Sequence, residues 1–300
     1  MTNQNSGDQP KDMEKLVKNT LKFTALLPIY ATLFSCGGGG PATPRVDQTT
    51  VEHVPVRAGS QRAADGVWFG SNGQGSPAFA LVAPLGMWTD YTQFFFADNA
   101  GADSYLATYS GYLTLNNNAI ESTNVIDLNG ILCHGMRGYA DASNTLSSEF
   151  YIRRNSTATT MSKYRLTYSV ENNRPPRLDD LHGNYSRKAR TLPGYGAYDT
   201  STAPRLAIDS KGGLVGELRG CILHGDLNIM DPEKNLYSLN LYAKPDIGGI
   251  CAVGADEVNL TGLASLVTLP NDNVQSLIFS TNGVGRGGKT LMLAGSVPKQ

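Results

Sequence analysis

Beyond residue 63 the chain falls into short runs in which apolar and polar side chains alternate, separated by Gly, Pro, Asn and Asp. Alternation with a period of two, broken by turn residues at near-regular spacing, predicts β-strands. Asp65–Gly70 (DGVWFG) reads as a strand entering from a turn, with Trp68 buried. Ala78–Ala83 and Met87–Ala97 follow around the turn Pro84-Leu85-Gly86, then Tyr105–Leu115, Glu121–Leu128, Ile131–Tyr139, Ser147–Arg153 and Lys163–Val170. A second set is predicted near Tyr185 and over Arg205–Asp209, Leu214–Arg219, Ile222–Met230, Leu236–Ala243, Glu257–Thr268, Val274–Thr281 and Thr290–Val297. Within Glu257–Thr268, the stretch LTGLASL also fits one helical turn.

Between the two sets lies ENNRPPR, whose adjacent prolines Pro175 and Pro176 exclude a central strand. The chain therefore divides into a first β lobe over 64–171, a linker over 172–177 and a second β lobe over 178–300. The expected fold is all-β, with two related antiparallel barrel- or sandwich-like lobes. The relation rests on a shared frame. Leu128-Asn129-Gly130 and Cys133-His134-Gly135 align with Leu218-Arg219-Gly220 and Leu223-His224-Gly225, and each lobe opens on a glycine and an aromatic, Gly66/Trp68 and Gly183/Tyr185. The distance from opening to frame differs, which predicts an extra hairpin in the first lobe.

Ahead of the lobes the pattern changes. Lys15, Lys18 and Lys22 lead into the apolar run Phe23–Phe34, which ends at Leu33-Phe34-Ser35-Cys36 and four glycines. A charged head, a short apolar core and a small residue read as an export signal over 1–35. Met13 is the expected true start, because residues 1–12 are polar and contribute nothing to such a signal. The stretch resembles the signal of bacterial lipoproteins, with Leu33 and Ser35 at the matching positions and Phe34 where a small residue is usual. The resemblance implies cleavage before Cys36, lipid on that cysteine and a membrane anchor; Gly37 in place of an inner-membrane-retaining aspartate implies the outer membrane. Two other readings are a cleaved secretory signal with an unmodified Cys36 and an uncleaved membrane helix. The apolar run is short for ~30 Å of hydrocarbon, and Pro28 interrupts it. Residues 36–63, beginning GGGGPATP after the cysteine, are expected to act as a flexible tether, with His53 a solvated residue on it.

The second lobe carries a further resemblance, in Gly220-Cys221-Ile222-Leu223-His224-Gly225, Cys251 and Thr261-Gly262-Leu263-Ala264. It is similar to a group of proteobacterial envelope lipoproteins, and the likeness brings no activity with it.

Composition narrows the partners. With 25 Lys and Arg against 26 Asp and Glu the chain has net charge −1 and no basic stripe, so nucleic acid is not expected. With Cys36 committed to lipid, Cys133, Cys221 and Cys251 remain in an oxidising compartment. Cys221 and Cys251 fall in one lobe on neighbouring predicted strands and are the expected disulfide, leaving Cys133 as a buried thiol. No spacing suits a metal site, and no cofactor is expected.

Other motifs were weighed by the structural context that their chemistry needs. Gly283–Thr290 (GVGRGGKT) matches the phosphate-loop pattern, but that chemistry requires the loop to open a helix, and only Leu291–Gln300 follow, with Gly295 and Pro298. A glycine-rich hairpin without nucleotide is the reading, with Lys289 exposed. Gly66-Val67-Trp68 and Thr89-Asp90-Tyr91 resemble two lipocalin signatures, although the second lies much farther along the chain in that family. His134, His182 and His224 are candidate bases or ligands, and the plain expectation for the two frame histidines is a place at a strand edge. The expected function is a binding or accessory module of the envelope for a protein or glycan. The alternatives are an envelope hydrolase with a dispersed site and a lipocalin-like carrier of a small apolar ligand.

Overall fold

A computed structural model describes residues 64–84, 92–99, 105–127, 132–141, 144–154, 157–186, 204–218, 220–246, 251, 257–269, 274–285, 288 and 290–300. The signal, Cys36 and the tether lie outside the described residues.

Sixteen strands run in chain order, and each sequence-predicted strand has its counterpart. The first eight are β1 (Gly66–Asn72), β2 (Pro77–Val82), β3 (Thr92–Asn99), β4 (Tyr105–Asn116), β5 (Ala119–Asp127), β6 (Leu132–Asp141), β7 (Thr145–Arg154) and β8 (Thr157–Tyr168). They form a closed antiparallel barrel in sequential order, with β1 returning to β8 through Trp68↔Tyr168 to Asn72↔Tyr164. After a 3-10 turn (Val170–Asn173) and one helical turn, α1 (Leu178–Leu181), come β9 (Gly183–Ser186), β10 (Arg205–Ile208), β11 (Gly213–Leu218), β12 (Cys221–Ile229), β13 (Tyr237–Pro245), β14 (Val258–Thr268), β15 (Gln275–Val284) and β16 (Thr290–Pro298). These make an eight-stranded antiparallel sheet, again in sequential order, curled so that Tyr185 of β9 bridges Lys299 just past β16. The LTGLASL stretch is strand, in β14.

Strand pattern and environment correspond. β13 alternates strictly: Tyr237, Leu239, Leu241 and Ala243 are buried on the concave side, while Ser238, Asn240, Tyr242 and Lys244 point outward. A strand with one wet face reads this way. β2, β14, β15 and β16 are instead buried on both faces. The reason is that the lobes pack on each other. Val67, Phe79, Leu81 and Phe95, outside the barrel, form one apolar cluster with Leu263, Val267, Ile278 and Met292 outside the second sheet. Burying a side chain such as Phe79 or Phe95 there contributes about 1.5–3 kcal/mol. Both lobes belong to one compact unit.

The stretch read as a linker is a built joint. Asn172 is fully buried; its Nδ2 donates to the Val67 carbonyl and its Oδ1 accepts from the Val67 amide, both at 2.7 Å. Both Glu171 carboxylate oxygens lie 3.0 Å from the Thr268 amide. The Tyr237 hydroxyl accepts from the Arg177 amide at 3.0 Å.

The lobe openings are equivalent in detail. Trp68 Nε1 donates to the Ala64 carbonyl and the Tyr185 hydroxyl to the Leu181 carbonyl, each four residues back. Two residues before each aromatic stands a glycine at positive φ, +116° for Gly66 and +143° for Gly183, a conformation that other residues rarely adopt. The histidine frame is not equivalent in this sense. His134 is on the sixth strand of its lobe and His224 on the fourth of its own, and both lobes have eight strands. Between opening and frame the first lobe thus holds the expected extra hairpin, and the second lobe makes up its eight strands after the frame.

Candidate functional site

The outer face of the second sheet is half covered. Strands β14–β16 turn theirs to the barrel, and β10–β13 leave theirs open. Cross-strand register sets the open face in rows, since directly opposed residues share a side. One row runs Asn184, Ala207, Val215, His224 and Tyr242 across β9 to β13. The His224 and Tyr242 rings stack at 4.9 Å between centroids and 7° between planes. Val215 is 58% exposed and Tyr242 40%, so this row presents apolar and aromatic surface to solvent. The next row holds Gly213, Asp226 and Asn240.

Together these rows line an open groove of about 720 Å³, with His182 and Asp209 at its rim. Asp209 closes the β10–β11 hairpin: its Oδ1 accepts from the Lys211 and Gly213 amides, each at 2.8 Å. Those amides, Gly213 first, hold its carboxyl below the usual carboxylate range, so it is charged at neutral pH. Asp226 Oδ2 accepts from Asn228 Nδ2 at 2.6 Å and Asn240 Nδ2 at 3.1 Å. Among the described residues no three His, Cys, Asp or Glu side chains are grouped to hold a metal ion.

The sequence-flagged residues are distributed as follows. His182 and His224 come together in the groove, but His224 sits in mid-strand on the sheet face, not at a strand edge. Its neighbours in β11 and β13 occupy both edges of β12. The backbone of His134 lies in β6, and the side chains of Cys133 and His134 lie outside the described residues. Cys221 and Cys251 have their sulfurs 2.10 Å apart and Cα atoms 4.5 Å apart. Cys251 is not on a strand, however; it belongs to the connection between β13 and β14, while Cys221 opposes Pro245. Val284 opposes Thr290, so Gly283–Thr290 joins two antiparallel strands and opens no helix. Tyr242, Asp226 and Asp209 were not singled out from sequence. The available signal was Tyr242 itself, an aromatic in the outward series Ser238, Asn240, Lys244.

Inside the barrel, Trp68, Phe94, Phe96 and Phe150 are fully buried, with Tyr109 stacked on Phe150 at 4.1 Å. Asp98 stands at one end of this cluster, its Oδ2 accepting from Asn72 Nδ2 at 3.2 Å and the Tyr164 hydroxyl at 3.0 Å. Among the described residues no helix is long and apolar enough to cross a membrane. Compared with known protein families, curated proteins and solved structures, the chain finds no match.

Proposed function

We propose that the protein is an envelope lipoprotein, held at the outer membrane by lipid on Cys36, whose β lobes form a binding module for a partner in the envelope. The observation that carries the binding reading is the exposed His224–Tyr242 stack beside Val215, presented on a sheet whose other face is packed core. Exposed aromatics on a rigid support are the usual anchors of recognition surfaces. The aromatic filling of the barrel favours this surface over carriage of a small apolar ligand inside it. One observation speaks for a hydrolase: the groove gathers Asp209 and Asp226 with His182 and His224. Against it, amides hold the Asp209 carboxyl low, where a general base needs a value near the working pH.

The test places a photo-crosslinking side chain at Val215 in cells and, as control, at the exposed Met161 of β8. Adducts should form from position 215, be absent from 161 and be suppressed by Tyr242→Ala. Equal adducts from both positions would remove the groove from the proposal. Turnover of ester or glycoside substrates that Asp226→Asn abolishes would replace the module with the enzyme.

A further inference from the structure

Resting on that reading of the groove, we propose that its partner presents a cationic side chain, an arginine or lysine on a basic protein segment. The side chain lies against the Tyr242–His224 stack with its charge toward Asp226. Charge complementarity selects this occupant. Among the described residues the groove is lined by two carboxylates, Asp209 and Asp226, and by no Lys or Arg. Both Asn228 and Asn240 bond the same Asp226 oxygen, Oδ2, which leaves Oδ1 as an acceptor for a ligand. On the carboxylate side Lys211, in the β10–β11 turn, acts on Asp209, and on the far side of the aromatic row Arg205, Glu217, Ile222 and Lys244 follow one another across β10 to β13. The open face thus runs from the carboxylate row, through an aromatic strip, to a mixed-charge row, and within the carboxylate row it is Asp226, rather than Asp209 beside Lys211, that draws a cation.

An acidic polymer laid along the aromatic strip would meet Asp226, whose described hydrogen-bond partners are the neutral Asn228 and Asn240. A neutral sugar would use the ring face and leave the Asp226 charge unmatched. A guanidinium fits both halves of the site, being flat enough to stack on Tyr242 and carrying N–H donors for Asp226.

The experiment uses the full chain purified in detergent and three immobilised probes, each titrated at low and physiological salt. They are an alternating arginine–glycine peptide, its glutamate–glycine counterpart and maltohexaose. The arginine peptide should bind, and more weakly as salt rises. Asp226→Asn and Tyr242→Ala should each weaken it by about tenfold or more, as expected for central contacts, with Tyr242→Phe close to wild type. Asp226→Asn preserves shape and an unchanged melting temperature certifies its fold; Asn240→Ala, which removes one support of Asp226, is the second variant and should also weaken binding. Arginine-peptide binding indifferent to all these changes, or its absence, would overturn the inference. Tyr242-dependent binding of maltohexaose or the glutamate peptide in its place would overturn it too. If crosslinking from Val215 persists in any of those cases, the binding surface stands and only the cationic partner falls.

Discussion

Replacing Asn172 with alanine should destabilise the protein by about 2–4 kcal/mol, although the residue lies in a stretch that reads as linker. Its carboxamide acts as a strand partner for Val67, taking the amide and giving to the carbonyl, each at 2.7 Å and fully buried. The Val67 carbonyl has a second donor in the Ser169 amide at 3.0 Å, so alanine leaves only the amide orphaned. A buried unpaired N–H costs about 1–3 kcal/mol, and the lost bond to the carbonyl adds roughly 0.5–1.5 kcal/mol. Gly66 supplies an internal check. A Cβ there would sit 2.8 Å from Asn172 Oδ1, at a φ of +116°. Gly66→Ala therefore carries a backbone penalty and a steric one, and only the steric part should vanish in the Asn172→Ala background. Urea unfolding of the four proteins followed by tryptophan fluorescence gives the cycle, with the double variant costing less than the sum. A cost below about 0.5 kcal/mol for Asn172→Ala, the level of an ordinary surface change, or strict additivity with Gly66→Ala, would refute the reasoning.

Four further outcomes follow. Cys36→Ser should abolish incorporation of labelled palmitate and release the protein from the outer-membrane fraction; wild type free of label would end the anchor proposal. Reduction, or Cys221→Ser, should lower stability by about 3–4 kcal/mol, the chain-entropy value for a closed loop of 30 residues, and Cys133→Ala should leave the reductant sensitivity intact. A non-reduced peptide joining Cys133 to Cys221 or Cys251 would contradict this. Lys289→Ala should change stability by less than about 0.5 kcal/mol, and micromolar ATP or GTP binding lost on that change would overturn the hairpin reading. Burial holds the Asp98 carboxyl above its ordinary 3.8, so it binds its proton more tightly folded than unfolded. Stability contributed by that group is then lost as pH rises from the unfolded value through the higher folded one, and Asp98→Asn should flatten this fall in urea midpoints; identical pH profiles would refute it.

The strand order was legible because most strands have one wet face and alternate, as β13 does. The lobe interface was not read from the sequence, although it left a signal of another kind. Phe94-Phe95-Phe96-Ala97 is a continuous apolar run and Leu263–Val267 one interrupted only by Ser265, the mark of strands covered on both sides. They read simply as strands until the packing of β2 and β3 on β14–β16 gives the second face its cover. The joint escaped notice because polarity argues for exposure only when no partner is near. Asn172 and Glu171 find backbone partners more than 90 residues away in sequence, which local pattern does not encode. The groove was half legible: the histidine frame pointed to His224, while Tyr242, Asp226 and Asp209 became neighbours only through register.

The described strands at the two seams differ in length. β8 is 12 residues long and β1 is seven, long enough for the five paired positions that shut the barrel. In the second lobe β9 and β10 have four residues each against nine in β16. At ~3.3 Å per residue, the described β9 spans about 13 Å and β16 roughly 30 Å. Their seam is joined at the end where β16 finishes, through Tyr185 and Lys299. Register places Cys221 beside Leu218 and Pro245 and level with the start of β14. There Cys221 and Cys251 tie β12 to the β13–β14 connection within the leucine-rich core. Among the described residues the first strand meets the chain beyond the last through the Tyr185–Lys299 bridge, and register sets Tyr185 level with Leu223, two residues from Cys221, so the disulfide adds a covalent hold to β12 close to that row.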